Sequence, residues 1–105
     1  MTSDSILFIE RIPKSLAIVG GGVVGMEFAS LFARFGTEVT VIEIAPQILP
    51  FEDEETAAEL AKYLRKNNKV NIETSTKLTG VEDRGDFVLL SVEGKDTRKF
   101  EKVLL

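Results

Sequence analysis

Residues 20–25 read Gly20-Gly21-Gly22-Val23-Val24-Gly25, and an acid, Glu43, follows them. The stretch before the glycines, Ser15-Leu16-Ala17-Ile18-Val19, is apolar and partly β-branched, which reads as a buried strand. After them, Val24, Phe28, Leu31, Phe32 and Phe35 recur at helical spacing, and Gly36 ends the run. Glu38-Val39-Thr40-Val41-Ile42 then reads as a second strand with Glu43 at its C-terminal end. Few folds accept strand, glycine turn, helix, strand and acid in that order. A dinucleotide-binding βαβ unit requires it.

Each position has its own physical reason. Gly20 allows a sharp turn out of the strand, Gly22 lacks a Cβ so that a pyrophosphate can lie against the backbone, and Gly25 lets the helix pack closely on the strand. Gly21 lies between them in the same loop. The first free N–H groups of the helix, around Val23 and Val24, point at the phosphates, and the helix dipole adds to the attraction. Glu43 would accept hydrogen bonds from the adenosine ribose hydroxyls and repel a 2′-phosphate. The next residues, Ile44-Ala45-Pro46-Gln47-Ile48-Leu49, contain no cation, so NAD is favoured over NADP. S-adenosylmethionine methyltransferases share a glycine turn and an acid after the second strand. At this point the nucleotide class stays open.

Length and charge narrow the rest. At 105 residues the chain is one small domain, and its 44% hydrophobic content is ordinary for a globular core. A formal charge of −4 and the lack of a basic run argue against nucleic-acid binding. The sequence has no cysteine and no histidine, which removes thiol redox chemistry, imidazole acid–base chemistry and nearly all zinc sites from this polypeptide. No metal site is expected. Met1-Thr2-Ser3-Asp4-Ser5 lacks the basic start of a signal peptide, and no apolar run approaches a membrane span, so a cytoplasmic location is the expectation.

Along the chain, residues 1–14 are a lead-in, with Ile6, Leu7, Phe8 and Ile9 expected to pack as a short turn before Pro13. Pro46 and Pro50 mark a loop, and the run from Phe51 to Lys69 predicts a second helix. Asp53 is its N-cap, Glu54 and Glu55 favour its positive end, and Ala57, Leu60, Ala61 and Leu64 form its apolar stripe. Asn67 or Asn68 is expected to take a left-handed stop. Val70-Asn71-Ile72-Glu73 reads as a third strand. Three short strand candidates follow, at 77–82, 87–92 and 97–101, separated by Asp83-Arg84-Gly85-Asp86 and Glu93-Gly94-Lys95-Asp96. That is an antiparallel meander. Val103-Leu104-Leu105 then resembles a further parallel strand.

The stretch IPKSLAIVGGGVVGMEFASLFARFGTEVTVIE, then a proline loop, a DEE-started helix and a meander, closely resembles the NAD-binding domain of the FAD-dependent pyridine nucleotide-disulfide oxidoreductases. The resemblance spans nearly the whole chain and is strongest to dihydrolipoamide-oxidising members. It implies an α/β fold: a Rossmann-like parallel sheet with flanking helices and a three-stranded antiparallel β-meander. It also implies that residues 1–14 lead in from a flavin domain and that residues 15–105 form an NAD-binding domain belonging to a larger flavoprotein. On that view NAD is the cofactor of this segment, while FAD, the redox cysteines and the catalytic histidine belong to other parts of a parent, normally a homodimer. The partners implied are NAD(H) and the parent's flavin and dimerisation domains, with no nucleic acid and no membrane. Gly20, Gly21, Gly22, Val23, Val24 and Gly25 match the family's phosphate loop, and Glu43 matches its ribose acid. Glu27 matches a glutamate near the nicotinamide and flavin, and Leu78 a position beside the adenine.

NADH oxidases, CoA-disulfide reductases and mercuric reductases carry the same domain, so the resemblance leaves the parent's substrate open. A non-catalytic nucleotide sensor, such as the ligand-binding domains of potassium transport systems, is a different class. Sensors and methyltransferases continue with further βαβ units, and the meander from Leu78 to Phe100 counts against both.

Overall fold

The computed structural model describes residues 12–105. The expected turn at Ile6–Ile9 lies outside the described residues. Strand β1 (Ser15–Val19) runs parallel to β2 (Glu38–Ile42), in register from Ser15↔Glu38 to Val19↔Ile42. Helix α1 (Val23–Arg34) connects them. Beyond β2, strand β3 (Asn71–Glu73) pairs with Thr40, Val41 and Ile42. The last strand, β7 (Lys102–Leu104), pairs with the other edge of β1, giving the order β3-β2-β1-β7. The strand order therefore reverses at β1. The crevice at the carboxyl ends of such strands is where open α/β sheets bind ligands.

Alternation along the strands assigns the two faces. Leu16, Ile18, Val39, Val41, Ile72 and Leu104 face the helical side, where they pack with Met26, Ala29, Phe32, Ala57 and Leu64. Ala17, Ile42 and Val103 face the other side and meet Leu90, Val92 and Phe100. Those three come from a separate antiparallel sheet of β4 (Leu78–Asp83), β5 (Val88–Val92) and β6 (Arg98–Phe100). Both helices cover one face, and the meander takes the other. Both faces are thus buried, which is why the strands read as continuous apolar runs.

Three local expectations need correction. Of the helically spaced Val24, Phe28, Leu31, Phe32 and Phe35, only Phe32 is buried, and Met26 and Ala29 complete the buried side of α1. Val24 and Phe35 are 56% and 62% exposed, and Phe28 is only partly buried. The cause is the glycine at the crossing. A Cβ on Gly25 would lie 2.8 Å from the Gly20 carbonyl oxygen and 3.2 Å from Ile18 Cγ2. The helix descends on its small-residue side, and that rotates Val24 and Leu31 away from the sheet.

Helix α2 (Glu54–Asn67) lies within the run from Phe51 to Lys69, and Phe51, ahead of its cap, is fully exposed. Its N-cap is Asp53 as expected: Asp53 Oδ1 accepts from the Thr56 backbone N–H at 2.7 Å. That bond holds the Asp53 carboxyl below its ordinary pKa. At the other end Asn68 stays right-handed at φ −109, and Lys69 takes the left-handed turn at φ 55. The third strand starts at Asn71, leaving Val70 to donate its N–H back to the Leu64 carbonyl at 3.1 Å.

The meander forms where the turn signals place it. Gly85 and Gly94 take φ +87 and +76 between its strands. The final apolar run forms β7.

Candidate functional site

The end of β1 and the start of α1 make the glycine turn. Gly20 has φ +107, and its N–H donates to the Ile42 carbonyl at 2.8 Å, joining the ends of β1 and β2. Gly22 is the helix N-cap, extended at φ −76 and ψ 178 and offering no side-chain cap. A Cβ there would meet nothing within 4 Å. The backbone is thus open on its outer side, as a closely approaching pyrophosphate needs. Met26 N–H is the first in the helix to donate four residues back, to Gly22, at 3.0 Å. The N–H groups of Val23, Val24 and Gly25 therefore have no intrahelical acceptor. No acidic residue stands in the first turn of the helix itself.

Glu43 follows β2 directly and is only 7% exposed. Its Oε1 accepts from the Gly21 N–H at 2.7 Å and its Oε2 from the Ala45 N–H at 2.8 Å. Its own N–H donates to the Glu73 carbonyl at 2.9 Å, and its carbonyl accepts from Thr76 N–H at 3.0 Å. An ionised carboxylate has about four acceptor sites, so each oxygen keeps capacity for another donor. The sequence shows the acid but neither its anchoring nor the hold that Ile48 and Leu49 take on Gly21 from the loop beyond. Two apolar residues inside a proline-flanked loop were the only signal.

The predicted site residues are not all brought together. Gly20 to Gly25 and Glu43 form one continuous feature at the ends of β1 and β2. Glu27 stands further along α1, in its second turn, and is exposed. It borders an apolar groove of about 520 Å³ between the helices, with Val23, Leu31, Leu49, Leu60 and Tyr63. Leu78 begins β4, half-buried against the core on the meander side. The link into β4 is tied to the site, because Ser75 N–H donates to the Ala45 carbonyl at 2.8 Å and Thr76 N–H to Glu43.

Beside the acid, Glu73 at the end of β3 accepts from Arg98 Nη1 at 2.6 Å and Lys95 Nζ at 3.2 Å. Partial burial pushes the Glu73 carboxyl up, but its hydrogen bonds and charge pairing with Arg98 and Lys95 outweigh that and leave it below its ordinary pKa. Among the described residues no group of three or more His, Cys, Asp or Glu could hold a metal ion, and no helix is long and apolar enough to cross a membrane.

The family model for pyridine nucleotide-disulphide oxidoreductase matches residues 1–105. A dihydrolipoyl dehydrogenase of Haemophilus influenzae is 35% identical over 106 residues, covering 98% of this chain and 22% of the relative. One from Thermus scotoductus is 41% identical over 96 residues, covering 91% of this chain and 21% of the relative. Among solved structures, the HOCl-induced flavoprotein disulfide reductase RclA from Escherichia coli superposes with a TM-score of 0.88 at 33% identity. That match covers 99% of this chain and 23% of RclA. The chain belongs to the pyridine nucleotide-disulphide oxidoreductase family. It spans about a fifth of the length of the curated relatives it matches.

Proposed function

We propose that residues 15–105 form the NAD(H)-binding domain of a flavoprotein disulfide oxidoreductase of the dihydrolipoyl dehydrogenase type. The observation that carries this reading is the pairing of an open, uncapped helix start at Gly22 with an anchored carboxylate, Glu43, at the end of the neighbouring strand. The N–H groups from Gly22 through Gly25 would bind the pyrophosphate. Glu43 would take the adenosine ribose hydroxyls on its remaining lone pairs. Leu78 would pack near the adenine, and Glu27 would stand toward the nicotinamide and the flavin.

In such a parent, electrons pass from dihydrolipoamide through a disulfide and FAD to NAD+. This chain has no cysteine and no histidine, so its share of that work is to bind and orient the nicotinamide cofactor. The thiol chemistry would belong to flavin and dimerisation domains of a homodimeric, cytoplasmic parent. The likeness to RclA supports a second reading within the family, in which the parent reduces a disulfide other than lipoamide.

Calorimetric titration of the chain with NADH and with S-adenosylmethionine tests the nucleotide class. NADH is expected to bind this chain, and S-adenosylmethionine is not. Binding of S-adenosylmethionine alone would overturn the proposal.

A further inference from the structure

Gly21 is the glycine to which the phosphate-binding pattern gives no role, yet it is held on every side. Its N–H donates to Glu43 Oε1 and its carbonyl accepts from the Leu49 N–H, both at 2.7 Å. A Cβ on Gly21 would lie 3.1 Å from Ile48 Cα and 3.2 Å from Glu43 Oε1. All of these contacts come from residues 43–49. That segment is itself tied down, by Ala45 N–H on Glu43 Oε2 and by Gln47 Nε2, which donates to the carbonyls of Leu49 at 3.2 Å and Glu52 at 2.8 Å. Leu49 sits at φ 49, a left-handed conformation that a leucine keeps only where its surroundings over-determine it.

The peptide plane explains what this accomplishes. The Gly21 carbonyl and the Gly22 N–H belong to one trans peptide and point in opposite directions. By holding that carbonyl, Leu49 turns the Gly22 N–H away from the loop, toward the open side of the turn. Gly22 N–H has no acceptor among the described residues, and it is the first donor of the turn left free. The Gly21 N–H, spent on Glu43, is not available to a phosphate.

We infer that residues 43–49 brace the phosphate turn, and that Glu43 is a positioning residue for phosphate binding as well as a ribose acceptor. The inference rests on the nucleotide reading above. It makes ribose and phosphate recognition depend on one carboxylate.

ADP and 2′,3′-dideoxy-ADP, titrated into the wild-type chain, Glu43→Ala and Glu43→Gln, separate the two roles. If Glu43 only reads the ribose, Glu43→Ala weakens ADP and leaves dideoxy-ADP unchanged, and the brace is overturned. The brace predicts that dideoxy-ADP also weakens in Glu43→Ala by about three- to tenfold, the net worth of about one hydrogen bond. Glu43→Gln keeps one carbonyl oxygen for the Gly21 N–H but sets its NH2 against the Ala45 N–H, so it should restore dideoxy-ADP binding only in part, to a level above that of Glu43→Ala. A ligand-free measurement keeps the two readings distinguishable. The Gly21 amide should exchange with solvent faster in Glu43→Ala than in the wild type or Glu43→Gln. Should neither nucleotide bind the wild-type chain, the nucleotide reading fails, and the Gly21 exchange rates alone decide whether Glu43 holds the turn.

Discussion

At the scale of single residues, the glycines divide by what a side chain would meet. Gly22 is open, so its requirement, if any, comes from a ligand. Gly25 is closed: its missing Cβ leaves room for the Gly20 carbonyl and for Ile18. Gly25→Ala places a methyl group against backbone that cannot swing aside, so helix or turn must shift. The expected cost is about 1–3 kcal/mol of stability, as for overpacking elsewhere, read by urea denaturation. An unchanged midpoint would show that α1 rides higher on the sheet than described. The turn at Gly20 and the close approach at Gly25 are legible in the sequence because both follow from geometry within one strand–turn–helix stretch. The role of Gly21 is not, because its constraints come from Glu43, Ile48 and Leu49, far along the chain. A left-handed leucine leaves no compositional mark.

At the scale of elements, the sequence gives the right inventory and misplaces some faces and ends. Large apolar residues dominate the α1 pattern, but Gly25 and Ala29 are the ones that let the helix approach, so Val24 and Phe35 remain in solvent. Periodicity finds the helix, and packing distance chooses the side. At the end of α2, asparagine is the best substitute for the glycine that usually makes a left-handed stop, yet the turn falls on Lys69, after both asparagines. Lys69→Gly should therefore stabilise the chain by about 0.5–1 kcal/mol, since the left-handed penalty exceeds the entropy glycine adds to the unfolded state. Asn68→Gly, at a right-handed position, should not stabilise. Thermal melts of the two variants check this, and the reverse ranking would move the helix stop back to Asn68.

At the scale of the whole molecule, the meander replaces the second helical layer of a doubly wound sheet, and one ion cluster ties it to the sheet edge. Glu73 lies on β3, while Arg98 begins β6 and Lys95 stands in the turn before it. The Glu73 carboxyl is held below its ordinary value in the folded chain, so the folded state binds its proton less readily than the unfolded state does. Its contribution to stability is complete above the ordinary glutamate range, about pH 4.3, and is lost as pH falls through the lower folded value. Glu73→Gln should reduce stability at neutral pH and flatten the acid limb of stability against pH. An acid limb identical to the wild type would remove Glu73 from that account. The turn residues of the meander announce it in the sequence, but the Glu73 cluster spans two sheets and has no sequence signature.

The central proposal, an NAD(H) site read by Glu43, is tested most directly by comparing NADH and NADPH in calorimetric titrations of the wild-type chain and Glu43→Ala. On that proposal, the Glu43 carboxylate, both oxygens anchored beside the glycine turn, would accept ribose hydroxyls and repel a 2′-phosphate. The wild-type chain should therefore bind NADH more tightly than NADPH. In Glu43→Ala, NADH should weaken and the gap between the two should narrow. Tighter binding of NADPH by the wild type, or a preference unchanged by the substitution, would contradict the role given to Glu43.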